Sequence, residues 1–156
     1  MNTHQKSHVE GLGFSSARIF SPLELVDRIP RSEAAAKTVE ESRGIIQNIL
    51  NGTDDRLMII TGPCSIHDES AALDYANRLV KLRDSLSEKI YIVMRVYFEK
   101  PRTTVGWKGF INDPNLNETF DIPAGLERGR RLLQKINEIG IPTASEFLDP
   151  VVPHYI

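Results

Sequence analysis

The chain has 156 residues, of which 40% are hydrophobic and 26% are charged, a composition typical of one soluble globular domain. Its formal net charge of −2 excludes a strongly basic nucleic-acid-binding protein, and no apolar run approaches the roughly 20 residues that a membrane-spanning helix needs. The N-terminus lacks the apolar core of a signal peptide, and a single cysteine allows no internal disulfide. We therefore predict a cytoplasmic protein that binds neither nucleic acid nor membranes.

The N-terminal part of the sequence predicts an arm followed by one helix. Residues 1–31 are interrupted by glycine and proline, which predicts an arm with little hydrophobic core of its own. Ser32 is a favourable N-cap for a helix that runs to about Leu50, and Gly52 stands where such a helix would end.

From residue 57 onward, the sequence alternates between strand-like and helix-like segments. Three short apolar runs predict strands, at residues 57–61, 90–97 and 142–147. Two amphipathic segments predict helices between them, the first beginning with a capping box at Ser65 and Asp68 and the second spanning about residues 123–139. This order predicts an α/β fold with a parallel sheet, either doubly wound or the opening of a (β/α)₈ barrel.

Polar residues are concentrated just after each predicted strand. In both architectures, functional residues gather at the carboxyl ends of the strands, which lie on one face of the sheet. Those ends correspond to residues 62–65, 95–108 and 146–149. The sequence therefore predicts an active site built from these three segments.

Cys64 is the only cysteine, and it lies between the first predicted strand and the helix predicted to follow it. At a helix N-terminus, the helix dipole and the free backbone N–H groups lower the pKa of a thiol and favour the thiolate. A thiolate binds metal ions or attacks electrophiles. A buried structural cysteine is the alternative interpretation.

The segment at residues 95–108 contains four basic residues and one acidic residue, although the whole chain is net negative. Arg95 has apolar strand neighbours and therefore needs an anionic partner, either an internal carboxylate or a substrate. The loop that follows contains two cations, a hydroxyl group and a stiffening proline, at Lys100, Pro101, Arg102 and Thr103. Such a loop suits phosphate binding, and a solvated basic surface loop is the alternative.

Two acidic residues, Glu146 and Asp149, follow the third predicted strand. A carboxylate there would orient the cations or move a proton through water, and structural ion pairing is the alternative role. We interpret His67 as a surface residue rather than a metal ligand.

Four segments carry a resemblance to a known family. They are GPCSIHD at residues 62–68, MRVYFEKPRTTVGWKG at 94–109, INDP at 111–114 and EFLD at 146–149. Together they resemble the microbial, type I, 3-deoxy-D-arabino-heptulosonate 7-phosphate (DAHP) synthases. The resemblance runs from about Asp54 to the last residue, whereas residues 1–50 resemble the family's regulatory arm in length more than in identity.

The resemblance implies a transferase that condenses phosphoenolpyruvate with erythrose 4-phosphate and water to give DAHP and phosphate. This is the first step of the shikimate pathway, which leads to chorismate and the aromatic amino acids. The resemblance also implies a (β/α)₈ barrel and a divalent metal ion of the Mn, Fe, Co or Zn class, with Cys64 as one ligand.

The same resemblance implies roles for the polar residues at the strand ends. Arg95 and Glu146 would lie on the phosphoenolpyruvate side of the site, and Lys100 would be a catalytic residue between the two substrates. The remaining substrate-binding residues would be Pro101, Arg102 and Thr103. Of these, Arg102 and Thr103 would bind the phosphate of erythrose 4-phosphate.

The resemblance divides the chain into an N-terminal arm and helix at residues 1–52, for regulation or oligomerisation, and an incomplete barrel domain at residues 53–156. It implies an aromatic amino acid as feedback effector and a homo-oligomer when the enzyme is complete. A complete barrel needs about 250 residues. We therefore expect the remaining metal ligands to lie beyond residue 156 and the isolated chain to be inactive.

Two alternatives stay open at this point. The sister synthase that uses arabinose 5-phosphate shares the fold and part of the first segment, but it resembles the loop at residues 100–103 poorly. The other alternative is a non-catalytic, truncated product that at most binds a partner.

Overall fold

The computed structural model describes residues 18–102 and 104–156. The described elements are, in chain order, α1 (Pro22–Arg28), α2 (Glu33–Leu50), β1 (Leu57–Thr61), α3 (Glu69–Leu86), β2 (Ile90–Arg95), α4 (Ile122–Glu138), β3 (Thr143–Ala144) and a 3₁₀ turn (Val152–His154). The predicted α/β fold is therefore confirmed. None of the helices in this described part of the chain combines the length and the apolar character that crossing a bilayer requires.

The three strands form one parallel sheet in the order β1-β2-β3. Strand β2 is central, and its residues from Tyr91 to Met94 are buried. In the register of the sheet, Thr61 at the end of β1 pairs with Met94, and Arg95 at the end of β2 pairs with Ala144. The three strands therefore end at the same edge, as at the start of a (β/α)₈ barrel.

Helix α2 begins and ends where the sequence predicts. The hydroxyl group of Ser32 accepts a hydrogen bond from the backbone N–H of Ala35 at 3.3 Å. Gly52 follows the last turn with a φ of 73°, a left-handed conformation that glycine adopts without steric cost.

The predicted start of α3 is wrong, because the helix begins later in the chain. Asp68, not Ser65, is the N-cap, and its carboxylate accepts a hydrogen bond from the N–H of Ala71 at 2.8 Å. A second bond from the Ser70 hydroxyl at 2.6 Å orients this carboxylate. The segment from Ser65 to His67 consequently belongs to the turn after β1 and not to the helix.

The described part of the predicted arm has more structure than expected. Ser21 and Glu24 form a capping box at the start of α1. Leu25 is fully buried and Ile29 is 4% exposed, and both belong to the hydrophobic core. Residues 18–31 thus form no separate core, but they contribute two apolar residues to the core of the domain. Residues 1–17 lie outside the described residues.

The C-terminal segment ties this arm to the rest of the domain. The hydroxyl group of Tyr155 donates a hydrogen bond to the carbonyl oxygen of Phe20 at 2.9 Å, and the two rings meet edge to face. The guanidinium of Arg130 on α4 donates to the carbonyl oxygens of Ile29 at 2.8 Å and of Tyr155 at 3.2 Å. Both ends of the described chain therefore pack on α4.

The third strand is shorter than the predicted residues 142–147. Its ladder covers Thr143 and Ala144, and the N–H of Val96 donates to the carbonyl oxygen of Ala144 at 2.8 Å. The hydroxyl group of Ser145 then bonds to the carbonyl oxygen of Val96 at 2.8 Å. A side chain thus replaces the backbone ladder at the point where the segment toward Glu146 begins.

Two glycines in helices test how closely α4 packs on the core. A Cβ atom at Gly125 would overlap the backbone of Ile111, whereas a Cβ atom at Gly44 in α2 would meet nothing within 4 Å. We expect Gly125→Ala to lower the free energy of unfolding by about 1–3 kcal/mol, because the added methyl overpacks the contact. Gly44→Ala should raise it by about 0.5–1 kcal/mol through helix propensity. Urea denaturation of both variants checks this, and equal effects would show that α4 does not contact Ile111 closely.

Candidate active site

The turn after β1 packs against the end of β2. A Cβ atom at Gly62 would overlap the backbone of Arg95, so only glycine permits this approach. The N–H of Ile66 donates to the carbonyl oxygen of Tyr97 at 2.7 Å, and the side chain of Ile66 is buried. These contacts hold the intervening Cys64 beside β2, as the meeting of strand ends predicts.

Cys64 is exposed and lies next to Lys100. The ammonium group of Lys100 donates to the Cys64 Sγ atom at 2.9 Å and to its carbonyl oxygen at 3.3 Å. The hydrogen bond and the charge of Lys100 lower the pKa of the thiol, and the charges of Arg95 and Arg102 lower it further. The pair thus favours a thiolate beside an ammonium group.

The predicted fall in the thiol pKa is confirmed, but its predicted cause is wrong. Helix α3 begins at Glu69 with Asp68 as its N-cap. Cys64 comes too early in the chain to lie at the N-terminus of this helix. A lysine that is 36 residues away in sequence replaces the helix dipole as the source of positive charge. The alternative of a buried structural cysteine is also wrong, because the side chain is exposed.

Arg95 occupies the last position of β2 and is partly buried. Its guanidinium stacks on the ring of Tyr97, 3.8 Å from the centroid, and its Nη2 atom donates to the carbonyl oxygen of Cys64 at 3.3 Å. The Nε atom is buried without a hydrogen-bond partner. Among residues 18–102 and 104–156, no carboxylate forms a salt bridge with this guanidinium. The partner of Arg95, an internal carboxylate or a substrate, therefore stays a prediction.

The loop after β2 is closed at its base by backbone contacts. Glu99 and Gly109 form an antiparallel bridge, and the N–H of Lys100 donates to the carbonyl oxygen of Lys108 at 3.0 Å. Gly109 has a φ of 112°, and a Cβ atom there would overlap the backbone of Phe98 and Glu99. The position of the Lys100 backbone is thus set by the other end of the same loop.

The tip of this loop presents Arg102 to solvent. Its N–H donates to the carbonyl oxygen of Lys100 at 2.8 Å, and its own carbonyl oxygen accepts a bond from Lys108 Nζ at 2.9 Å. Pro101 is exposed beside it. Thr103 lies outside the described residues, so its predicted role stays a prediction. Lys108, which the sequence analysis counted only as a basic residue, thus connects the two sides of the loop through its bond to Arg102.

The third segment contributes less to the cation cluster than predicted. Glu146 is partly buried, and no described salt bridge joins it to Arg95 or Lys100. Asp149 accepts hydrogen bonds from the N–H groups of Val151 at 2.6 Å and Val152 at 2.9 Å, which is a structural role.

Sequence reasoning overlooked Glu99. It is only 9% exposed, and its Oε2 atom is buried without a hydrogen-bond partner. Burial raises the pKa of this carboxyl group most, and the nearby charge of Asp149 raises it further. In the sequence, its burial was indicated only by its position as the single acidic residue of a basic segment, next to the apolar Phe98.

The described residues supply one candidate metal ligand and not a complete site. A catalytic divalent ion typically takes about three protein ligands. In the described ranges, no group of three or more histidine, cysteine, aspartate or glutamate residues is arranged to hold a metal ion. The thiolate of Cys64 is chemically suited to bind such an ion.

A separate cleft of about 370 Å³ lies between α2 and α4. Its lining includes Ala35, Ile46, Leu133 and Phe147, and it contains none of Arg95, Lys100 and Arg102. The cation cluster at the strand ends and this cleft are therefore two different surfaces.

Comparison with known proteins gives consistent matches. The family described as the DAHP synthetase I family matches residues 32–156. A phospho-2-dehydro-3-deoxyheptonate aldolase of Haemophilus influenzae is 50% identical over 139 residues, which are 89% of this chain and 38% of the relative. A Phe-sensitive aldolase of the same name from Escherichia coli K12 is 53% identical over 138 residues, which are 88% of this chain and 39% of the relative.

A solved structure of a phospho-2-dehydro-3-deoxyheptonate aldolase from Francisella tularensis superposes with a TM-score of 0.87 at 44% identity. The match covers 93% of this chain and 42% of that one. The parallel sheet described above is consistent with the predicted amino-terminal part of a (β/α)₈ barrel. The chain spans about 38% to 42% of the length of these three relatives.

The contact between Lys100 and Cys64 can be tested by thiol chemistry. Lys100→Met removes the ammonium group while keeping the aliphatic chain, so the pKa of Cys64 should rise toward that of an ordinary thiol. The pH midpoint of alkylation by iodoacetamide should therefore move upward, and the rate at neutral pH should fall. Lys81→Met, which removes an equal charge from the exposed face of α3, should leave the midpoint nearly unchanged. An equal shift in both variants would contradict a specific pair.

Proposed function

The chain belongs to the DAHP synthetase I family, and on that premise we propose that it forms part of an enzyme that condenses phosphoenolpyruvate with erythrose 4-phosphate and water. The products are DAHP and phosphate, and the reaction opens the shikimate pathway. The observation that supports this proposal most is the cluster of Arg95, Lys100 and Arg102 at the strand ends.

Charge balance explains why this reaction needs such a cluster. The two substrates bring two phosphate groups and one carboxylate group, which repel one another when they approach. Arg95, Lys100 and Arg102 offer three positive charges within one surface. Cations that are already in place stabilise the close approach without having to reorganise during the reaction.

Arg95 is suited to phosphoenolpyruvate. Stacking on Tyr97 and the bond to Cys64 hold the guanidinium plane. A planar guanidinium with free donors binds a carboxylate or phosphate through two parallel hydrogen bonds. We place Glu146 on the same side of the site, where it would orient the water that adds to C2.

Lys100 and the loop tip are suited to the sugar phosphate. Arg102 is exposed at the tip and, with Pro101 and Thr103, would bind the phosphate of erythrose 4-phosphate. Lys100 would then lie between the substrates as the catalytic residue. When C3 of phosphoenolpyruvate bonds to the aldehyde carbon, negative charge develops on the aldehyde oxygen, and the ammonium group would stabilise it. Phosphate leaves later by cleavage of its C–O bond.

Cys64 would contribute a thiolate ligand to a divalent metal ion of the Mn, Fe, Co or Zn class. Such an ion, when bound, polarises a carbonyl oxygen as a Lewis acid. The other ligands would come from residues outside the described part of this chain, as expected if the complete enzyme has the length of its relatives.

The names of the relatives suggest regulation by an aromatic amino acid. One Escherichia coli relative is named Phe-sensitive and another Trp-sensitive, and each is 53% identical to this chain. We therefore propose phenylalanine or tryptophan as the class of effector, with residues 1–52 as the regulatory or oligomerising part of a cytoplasmic homo-oligomer. The single cysteine suits a reducing compartment.

Coverage of the relatives supports a second proposal, which concerns the isolated chain. It spans about two fifths of each relative and supplies one candidate metal ligand, so we propose that these 156 residues alone do not catalyse the condensation. The Haemophilus influenzae and Escherichia coli relatives are named heptonate aldolases, which favours erythrose 4-phosphate over arabinose 5-phosphate.

A hybrid enzyme tests the proposed function. In this hybrid, residues 1–156 replace the matching segment of the Phe-sensitive Escherichia coli relative. It should form DAHP from erythrose 4-phosphate but not use arabinose 5-phosphate, and the isolated chain should release no phosphate.

Arg95→Ala should mainly raise the KM for phosphoenolpyruvate, and Arg102→Ala the KM for erythrose 4-phosphate. Losing one charge-assisted hydrogen bond should raise the affected KM by about ten- to a hundred-fold.

Controls separate the possible failures of this experiment. Arg78→Ala, on the exposed face of α3, removes an arginine outside the cluster and should leave both KM values unchanged. An active hybrid in which Arg95→Ala and Arg102→Ala affect both substrates equally would contradict the division between them. A hybrid that folds cooperatively but uses neither sugar would contradict the function itself.

A further inference from the structure

Lys108 lies on the returning side of the loop at residues 100–109, and the proposed chemistry does not use it. Its ammonium group donates a hydrogen bond to the carbonyl oxygen of Arg102 at 2.9 Å. No salt bridge among the described residues includes Lys108. The partner that the structure gives to this cation is therefore the backbone at the tip of the loop, 6 residues earlier in the chain.

The backbone from which the Lys108 side chain projects is fixed by its neighbours. The carbonyl oxygen of Lys108 accepts hydrogen bonds from the N–H of Lys100 at 3.0 Å and from the side-chain amide of Asn112 at 3.4 Å. The indole N–H of Trp107 donates to the carbonyl oxygen of Asp113 at 2.8 Å, and Trp107 packs against the hydrophobic core. The Lys108 side chain thus reaches the loop tip from backbone that is already held in place.

The tip itself has few other contacts. Arg102 is exposed, and its N–H donates to the carbonyl oxygen of Lys100 at 2.8 Å, a local bond between residues close in the chain. Within residues 18–102 and 104–156, no hydrogen bond from across the loop reaches Arg102 except that of Lys108. A Cβ atom at Gly106 would lie 3.6 Å from the Nε atom of Arg102, so the guanidinium lies beside the same returning side of the loop.

Fixing the tip has a consequence for anion binding. A guanidinium binds a phosphate through two parallel hydrogen bonds, which need a defined orientation of the guanidinium plane. An exposed loop that has to become ordered during binding loses conformational entropy, and this loss weakens the complex. Because the bond from Lys108 orders the backbone of Arg102 beforehand, part of that entropic cost is absent when a phosphate binds.

We propose that Lys108 is a positioning residue that acts through Arg102. By bonding to the carbonyl oxygen of Arg102, it holds the loop tip in the conformation in which the guanidinium receives the phosphate of the sugar substrate. The effect on sugar binding rests on the proposed function, whereas the hold on the loop tip does not.

The first arm of the test needs no substrate and uses limited digestion of the full chain with trypsin. Trypsin cleaves after Arg102 when the loop tip opens, so the rate of this cleavage measures how firmly the tip is held. Lys108→Met removes the ammonium group and should raise that rate about two- to tenfold, the range expected from the loss of one hydrogen bond. Lys108→Arg keeps a donor and should stay close to the wild type.

Two controls separate a loosened tip from a general loss of stability. Cleavage after Arg78 requires unfolding of α3 and should keep its wild-type rate in Lys108→Met. Lys81→Met, which removes an exposed cation from α3, should match the wild type at both cleavage sites. An unchanged rate after Arg102 in Lys108→Met, or an equal rise after Arg102 and Arg78, would overturn the proposal.

The second arm measures kinetics in the hybrid enzyme described above. Lys108→Met should raise the KM for erythrose 4-phosphate about two- to tenfold and leave the KM for phosphoenolpyruvate unchanged, and Lys108→Arg should restore the wild-type value. Because Lys108 acts through Arg102, Lys108→Met should change the KM by less than about twofold when Arg102→Ala is already present. Additive effects of the two substitutions would show that Lys108 binds the substrate directly, and the positioning role would be wrong.

The two arms also distinguish failure of the positioning role from failure of the proposed function. If Lys108→Met speeds cleavage after Arg102 but the hybrid uses neither sugar, the proposed function fails and the hold on the loop tip stands. If the hybrid is active and Lys108→Met leaves the KM for erythrose 4-phosphate unchanged, the proposed function stands and the positioning role is wrong.

Discussion

The site depends on the parallel pairing of β1 with β2. Because Thr61 pairs with Met94, the turn that begins at Gly62 lies directly beside Arg95, with no room for a Cβ atom between them. A slip of one residue would turn every side chain of β2 to the other face and would separate the turn from the loop at residues 100–109. The thiol of Cys64 and the ammonium group of Lys100 meet only because this register holds.

That dependence explains which parts of the site were visible in the sequence. Alternating apolar runs and amphipathic segments predicted the parallel sheet, and the rule that strand ends share an edge predicted that the segments after β1 and β2 would meet. The partner of Cys64 was not predictable in the same way. A helix dipole acts locally, whereas Lys100 is 36 residues away and reaches the thiol through the fold. The N-cap of α3 is Asp68 and not the predicted Ser65, so the helix dipole is not the cause of the lowered thiol pKa. The pKa of Cys64 is nevertheless lowered, as predicted, because Lys100 lies beside it.

The remaining errors share a physical reason, which is that burial is decided by tertiary contacts. Leu25 and Ile29 belonged to a predicted arm with little core of its own, yet both are buried in the same core cluster as Leu126 and Tyr155. Glu99 was counted only as the one acidic residue of a basic segment, yet its side chain is buried. A pattern of residue types shows which face of an element is apolar. It does not show which polar residue the neighbouring loops will enclose.

We expect the strand ends, and not the cleft between α2 and α4, to recognise the anionic substrates. An NMR titration of the chain with phosphoenolpyruvate tests this directly, because amide resonances show where the ligand binds. The largest shifts should occur at Cys64, Arg95 and Lys100, and Arg95→Ala should abolish them. Shifts confined to residues that line the cleft, such as Ala35 and Leu133, would contradict recognition at the strand ends.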